Sequence, residues 1–354
     1  MLGAACADAA TAEGLKVLIV EPGVVGGGST AASMGHLVAV DGDPAELALA
    51  AYSERLWTDL RDLPGAEYSR CGTLWVANAA DDLARVPAMR ARFAAVGMSS
   101  EPVDTARLYE LEPNLAPNLA GGLLVADEGI VYPPAVARAL VQRACSRGAE
   151  LQRARVAAIG DHGVTLEDGS RRLNGPVLVA TGCALPRLLP ELPIRPRKGH
   201  LVITERYPGT IRHQLVQIHY ADSAHGDADS VAFNVQPRPT GQVLIGSSRE
   251  FDATDTAVSL TMVRRMLACA FGFLPSLRGL NAIRVWAGLR PASVDGLPYI
   301  GAVPGRRGVW VAGGHEGLGI CTAPGSARLL LDLFLGRTPA IDAAPYDPAR
   351  VAAA

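Results

Sequence analysis

The sequence predicts an α/β protein in which a parallel, helix-flanked sheet is interleaved with a largely antiparallel one. Three observations carry that prediction. Short apolar runs near both ends of the chain, 15–21 and 308–312, are each joined through glycine to a small-residue or apolar helix, the signature of strands buried between helices. Residues 199–250 instead show successive short strand signals, at 199–204, 212–220, 230–236 and 242–247, with Pro237-Arg238-Pro239-Thr240-Gly241 as a hairpin loop. The length of 354 residues, with 49% hydrophobic and 19% charged residues, is enough for two cores.

Composition also excludes. A net charge of −2 gives no electrostatic footprint for nucleic acid or an anionic membrane. The six cysteines are scattered without a C-x-x-C pair, so neither a zinc site nor a disulfide framework is expected, and no metal is assigned. There is no apolar run of membrane-spanning length and no basic-then-apolar leader pattern. The expected compartment is the cytoplasm, with a peripheral contact to the inner membrane face left open.

In chain order, residues 3–14 read as a small-residue helix stopped by Gly14. The strand at 15–21 follows and ends in Glu21. Helix, glycine, apolar strand and terminal acid form the second half of a Rossmann βαβ unit, where the acid accepts hydrogen bonds from a ribose; alternatively Glu21 is an ordinary polar strand end. Gly3 stands 18 residues before Glu21, the spacing of the third fingerprint glycine. Residues 25–36 form a small, hydroxyl-rich loop that either lies against a pyrophosphate or links freely. Helices are expected at 44–61, 80–97 and 133–147, and strands at 71–78 and within 121–132. Residues 107–117 read as a turn-rich connection. Strands return at 149–158, 163–167 and 171–173, with turns at Asp161-His162-Gly163 and Asp168-Gly169, and a buried strand at 176–182 ends in Ala180-Thr181-Gly182. A helix at 257–271 and a strand at 281–287 complete the middle of the chain.

The stretch 286–336 organises the whole. Arg290 sits in a Pro/Gly-punctuated segment, and a strand at 308–312 runs into Gly313-Gly314-His315-Glu316-Gly317-Leu318-Gly319. An apolar helix at 322–335 follows. Strand, glycine turn and helix point free N–H groups at an anion. Taken alone, the turn serves equally as a chain reversal or as a ligand cradle.

Four motifs in this order resemble the D-amino-acid oxidase/glycine oxidase superfamily of FAD-dependent oxidoreductases: the helix–strand–Glu21 unit, the GGGSTAAS loop, the 177–182 strand end, and GLRPASVDGLPYIG followed by GGHEGLGI. Together they cover nearly the whole chain. The middle section, RPRKGHLVITERYPG with AHGDADSVAFNVQPRPTGQVLIGSSREF, is similar to a narrower branch of dye-linked D-hydroxyproline dehydrogenases, opine oxidase small subunits and the flavoprotein subunit of hydrogen cyanide synthase.

The resemblance implies a Rossmann-like FAD-binding domain from 1–43, 122–195 and 281–354, interleaved with an antiparallel-sheet substrate domain from 44–121 and 196–280. It implies that Gly3 and Glu21 serve the ADP half of FAD, and that Gly27, Gly28, Ser29, Thr30, Ala32 and Ser33 line the pyrophosphate and the route to the flavin. Val156 would hold adenine through backbone groups, and Thr181 and Gly182 would flank the cofactor. Gly314, His315, Glu316, Gly317, Leu318, Gly319 and Ile320 would wrap the pyrimidine edge of the ring. Arg290 would grip a substrate carboxylate.

Weaker substrate candidates are His36, Tyr220, His225 and Arg238, with Met34 and Lys198-Gly199-His200 near the flavin or merely structural. The implied activity is oxidation of a small D-amino or cyclic imino acid by hydride transfer, with D-hydroxyproline as the best single guess. An O₂-using glycine, sarcosine or D-amino-acid oxidase is the alternative. The acceptor would be a dye, a quinone, O₂ or a partner subunit, and a hetero-oligomer with FAD- and iron–sulfur-containing subunits is a further alternative, with catalysis then placed elsewhere. The first strand of the βαβ unit and two fingerprint glycines are not found. Met1 is therefore expected to be an internal methionine of a longer protein, with roughly 10–20 residues upstream, and the form starting there to hold FAD weakly.

Overall fold

The computed structural model describes residues 1–160, 163–173, 175–226, 228–251 and 253–352. The first helix, Leu2–Ala12, buries Ala4, Ala5, Cys6 and Ala7. Those small side chains let it pack closely against helices Pro133–Ser146 and Ala323–Phe334. It stops as its glycine predicts. Gly14 takes φ +79, Leu15 N–H donates to Ala10 O at 3.1 Å and Gly14 N–H to Thr11 O at 3.1 Å. This pair of bonds satisfies the last carbonyls and needs a residue tolerant of positive φ.

Parallel pairing appears where the apolar runs predict it. Strand Leu18–Val20 pairs with Glu150–Gln152, and Val177–Val179 pairs with Val309–Gly313, which is flanked in turn by antiparallel Tyr299–Ala302. Among the described residues no backbone pairing joins the two sheets. Helix Leu2–Ala12 lies against both: its Ala4 and Ala5 share one core with Ile19, Leu178 and Trp310.

The second layer is an eight-stranded mixed sheet. Its order is Ala282–Ala292, Arg195–Arg206, Gln242–Arg249, Ser230–Pro237, Gln214–Gln217, Thr73–Ala77, Gly121–Val125 and Glu101–Val103. Every neighbouring pair in this order is antiparallel except Gln214–Gln217 with Thr73–Ala77, which run parallel. Helix Leu260–Phe273 covers one face with Met262, Val263, Met266 and Ala270, spaced for one helical side. Ser259 caps it by accepting the Met262 N–H at 3.2 Å.

Several elements differ from the sequence reading. Residues 107–117 are not all loop: Thr105–Leu111 is a helix, capped by Asp104, whose carboxylate accepts the Arg107 N–H at 2.8 Å. The nearby prolines dominated the reading, although Ala, Arg, Leu and Glu are helix formers. The strand expected over 212–220 stops at Gln217, and Tyr220–His225 is a short helix. The strand at 281–287 extends to Ala292, because its partner Arg195–Arg206 pairs with it from Ala282 through Ala292. Arg290 therefore rides on a strand rather than in a turn. Of the turn Asp161-His162-Gly163, Asp161 and His162 lie outside the described residues, as does the side chain of His225. No helix among the described residues is long and apolar enough to cross a membrane.

Candidate active site

Arg290 is opposite Arg197 in the antiparallel ladder between its own strand and Arg195–Arg206. Its guanidinium lies flat over Gly199. A Cβ added there would sit 2.5–2.6 Å from its Nη2 and Cζ. The bare backbone of Gly199 is thus the seat of the cation. Nη1 donates to Ser248 O at 3.0 Å, which fixes one edge of the fork.

Around it stand Arg249, Tyr220 and Glu316. Arg249 ends its strand with a side chain only 3% exposed. Its Nε lies 3.4 Å from Glu316 Oε1, its Nη2 is 3.5 Å from the Tyr220 hydroxyl, and its Cζ is 5.2 Å from the Tyr220 ring centre. Burial acts to raise the Glu316 pKa, but the guanidiniums of Arg249, Arg290 and Arg197 outweigh it and hold the carboxyl below its usual range. The Tyr220 phenol is likewise lowered, with burial opposing and Arg249 and Arg290 prevailing. The Arg290 guanidinium is itself pushed down by burial and by the charge of Arg249. Cations of this density, in a place that costs them hydration, form a site for an anion.

The glycine turn delivers Glu316 to this cluster. Gly314 takes φ +82 and Glu316 φ +48, a conformation non-glycine residues seldom adopt. The turn is pinned by Glu316 N–H donating to Pro291 O at 2.9 Å and by the bridge between Ala292 and His315. Glu316 Oε2 also accepts the N–H of Gly317. His315 points the other way, into the core, with Nε2 2.9 Å from Ser326 Oγ. Burial pushes its pKa down to about 3, with the chain's α-amino group adding. Leu318 and Ile320 are buried, and Gly319 packs against His315 and Leu2.

The N-terminal loop faces the same strand as Arg290. Gly28 precedes the single helical turn Ser29–Ala32, and the Cβ position of Gly28 is open. Gly27 N–H donates to Val24 O at 2.8 Å. Ser29 Oγ donates to Leu289 O at 2.7 Å, and Trp286 Nε1 to Ala32 O at 3.1 Å. The Cβ of Ala32 lies directly over Gly288, where a second Cβ has no room. Ser33 Oγ donates to Thr30 O at 2.7 Å, and Thr30 Oγ1 accepts from the Met1 α-amino group at 2.9 Å. Met34 packs with Leu201 and Leu244. His36 pairs with Ile130 in a two-residue strand, and its Nε2 is buried without a hydrogen-bond partner among the described residues. Desolvation takes its pKa down to about 4, the Asn234 side chain opposing and Arg290 adding.

At the other end of the loop, Glu21 lines a cleft of about 310 Å³ with Gly23, Val24, Val25, Arg138, Val141, Gln142, Leu151 and Arg153. Its Oε1 accepts the Gly23 N–H at 2.8 Å. A Cβ added at Gly3 would lie 3.5 Å from that of Ala180, so the start of the first helix abuts the 177–182 strand end. Thr181 precedes the turn Gly182–Ala184, and Gly182 takes φ +57 with open space at its Cβ position. Val156 begins the strand Val156–Gly160, opposite Leu166.

Other candidates are engaged structurally. Arg238 donates to Glu67 Oε2 at 2.6 Å and Val131 O at 3.0 Å, with its Cζ 5.4 Å from the Tyr132 ring centre. Lys198 Nζ is 3.1 Å from Asp255 Oδ1, and the His200 ring is buried between Ser248 and the Ser259 N–H. The sequence reading missed Arg249 and the role of Gly199. Arg249 sits in Ser247-Ser248-Arg249-Glu250 at a strand end, where an arginine ordinarily faces solvent.

Comparison with known proteins adds to this geometry. Residues 1–333 match the family model DAO, described as FAD dependent oxidoreductase. The glycine oxidase of Pseudomonas putida is 31% identical over 333 residues, 86% of this chain and 83% of that protein. Hydrogen cyanide synthase subunit HcnC of Pseudomonas aeruginosa is 32% identical over 160 residues, 45% of this chain and 35% of that one. The crystal structure of glycine oxidase from Geobacillus kaustophilus superposes with a TM-score of 0.86 at 27% identity, over 99% of this chain and 96% of that one.

Proposed function

The chain belongs to the DAO family of FAD-dependent oxidoreductases, and from that premise we propose that it oxidises the carbon–nitrogen bond of a small amino or imino acid held by its α-carboxylate. The observation that carries this reading is Arg290. It is a guanidinium seated on bare backbone, fixed on one edge by Ser248 O, within the field of Arg249. A planar fork of this kind binds a carboxylate through two parallel hydrogen bonds and so sets its orientation.

The residues fit the cofactor. The cleft beside Glu21 suits the adenosine half, and the open Cβ positions of Gly28 and Gly182 leave backbone exposed for a close approach. Gly27–Ser33, Thr181 and Gly182 would hold the middle of FAD, Val156 the adenine, and 314–320 the edge of the ring. The chemistry that bound FAD would supply there is acceptance of a hydride from the carbon that bears nitrogen. The chain's own work is to bind and orient: Arg290 fixes the carboxylate. Positioning alone can lower a barrier by ~7–11 kcal/mol. In this reading 1–43, 122–195 and 281–354 serve the cofactor, while 44–121 and 196–280 serve the substrate.

The substrate is a D-configured or achiral amino or imino acid, with D-hydroxyproline one member of the class. The similarity to glycine oxidases supports O₂ as acceptor, and the match to HcnC supports association with a partner subunit as the second reading. The test loads the enzyme with FAD and mixes it anaerobically with a panel of amino and imino acids and their decarboxylated amines. Bleaching of the flavin band by the acids and not by the amines is expected. Equal bleaching by a matched amine removes Arg290 from this role.

A further inference from the structure

We propose that Arg249 is a specificity-determining residue that receives a second carboxylate, so that the preferred substrate is a dicarboxylic amino or imino acid. The inference rests on the reading above and extends it from one end of the substrate to the other.

The argument begins with donors. A guanidinium carries five N–H groups. Those of Arg249 are poorly used. Its Nε reaches Glu316 Oε1 only at 3.4 Å, its Nη2 reaches the Tyr220 hydroxyl only at 3.5 Å, and its Nη1 has no hydrogen-bond partner among the described residues. Yet the side chain is 3% exposed. Buried charged donors are normally satisfied, so an unmatched guanidinium edge in a ligand site is a place made for an acceptor. Structural arginines elsewhere in this chain look different: Arg238 donates at 2.6 and 3.0 Å to Glu67 and Val131 O, and the fork of Arg85 meets Asp222 at 2.8 and 3.0 Å.

Charge balance points the same way. Arg249 and Arg290 contribute two cations, Glu316 one anion, and Arg197 adds its field to both Arg290 and Glu316. An α-carboxylate on Arg290 would answer that guanidinium and still leave the outer edge of Arg249, beside Tyr220, without an acceptor. A second carboxylate would accept from Nη1 and Nη2 of Arg249 and from the Tyr220 hydroxyl, three donors converging from two elements. A neutral side chain of the same length would leave them unpaired, and sites of that kind discriminate strongly against the analogue that lacks the group.

The test uses the flavin-loaded enzyme in two arms. In the first, flavin absorbance is titrated with succinate and with butyrate, which share chain length and differ by one carboxylate. In the second, kcat/KM is compared for glutamate against glutamine and aspartate against asparagine, in both enantiomers. We expect succinate to bind at least 10-fold tighter than butyrate, and the acid of each reactive pair to be favoured at least 10-fold. Arg249→Met should collapse both ratios by at least 10-fold, and Arg249→Lys should restore part of them. Equal binding of succinate and butyrate by the wild type overturns the proposal and needs no folded variant. So does an Arg249→Met enzyme in which both members of each pair fall together, or a wild-type preference for glycine or D-hydroxyproline over both dicarboxylic acids. Failure of every amino and imino acid to reduce the flavin would instead refute the oxidase reading, while the succinate-to-butyrate ratio would still decide the role of Arg249.

Discussion

The seat under Arg290 can be tested by adding one carbon. In Gly199→Ala, the new Cβ would lie 2.5–2.6 Å from Nη2 and Cζ of Arg290. Comfortable carbon contacts begin near 3.5 Å, so the guanidinium must rise by about 1 Å. The obstructed atoms are the tip of a flexible side chain, so the fold itself loses little. What changes is where the carboxylate is held. A misplacement of about 1 Å can cost on the order of 100-fold, or about 2.7 kcal/mol of transition-state stabilisation. We therefore expect kcat/KM for a carboxylate substrate to drop ~100-fold, with flavin content and melting temperature close to wild type. Gly272→Ala is the matched control: a helical glycine with open space at its Cβ position. Stopped-flow flavin reduction against substrate concentration gives the numbers. A Gly199→Ala enzyme within 2-fold of wild type, at full flavin content, would show that Arg290 does not bind the reacting molecule from this position.

Three further outcomes follow from the same geometry. Arg290→Ala should lower kcat/KM by ~10- to 150-fold, the equivalent of losing a charge-assisted pair worth about 1.5–3 kcal/mol, and should do so mainly through KM; steady-state kinetics on a folded, yellow variant check it. Glu316→Gln leaves the buried Arg249 charge unpaired and should destabilise the fold by about 3–5 kcal/mol, with formate or acetate restoring part of the melting temperature; unchanged melting would mean that the 3.4 Å pair carries no charge compensation. His315 has its pKa depressed to about 3 in the fold, so the unfolded chain binds the extra proton between pH 6.5 and 3. Stability should be complete above pH 6.5 and fall as pH drops toward 3, by roughly 4–5 kcal/mol more in wild type than in His315→Gln, measured as urea midpoints across that range. Parallel pH curves for the two proteins would place the acid sensitivity elsewhere.

Much of the local structure at 1–36 and 308–335 was legible because its signals are local. Gly14 must stop a helix, and Glu21 must end a strand, wherever the rest of the chain goes; the turn at 313–319 announces itself through four glycines. Arg290 was found the same way, through its punctuated surroundings. The substrate side was less legible because its chemistry is assembled across strands. Arg238 sits in the hairpin loop, where its N–H donates to Gln242 O, and Arg249 ends the strand that Gln242 begins, about 24 Å farther along at strand rise. Nothing local says which end meets the strand that carries Arg290. Register decides it: Lys198 exchanges both backbone hydrogen bonds with Glu250, and Arg197 stands opposite Arg290. These pairings carry Arg249 to Arg290 and leave Arg238 with Glu67.

The same register explains why Lys198-Gly199-His200, as sequence alone, reads either as a cation near the flavin or as a solvated strand start. In an antiparallel sheet the beginning of one strand lies beside the ends of both neighbours. Arg195–Arg206 begins where Gln242–Arg249 and Ala282–Ala292 finish. Three chain segments rich in arginine therefore meet at one end of the sheet, and the turn carrying Glu316 closes over that end through its bond to Pro291 O. Mutual repulsion between Arg249 and Arg290 opposes this assembly, and the carboxylate of Glu316 offsets part of it. In the proposed reading, an anionic substrate supplies the rest of that compensation when it binds. On that reading, specificity falls on Gly199, which lets one cation lie flat, and on Arg249, whose Nη1 has no hydrogen-bond partner among the described residues.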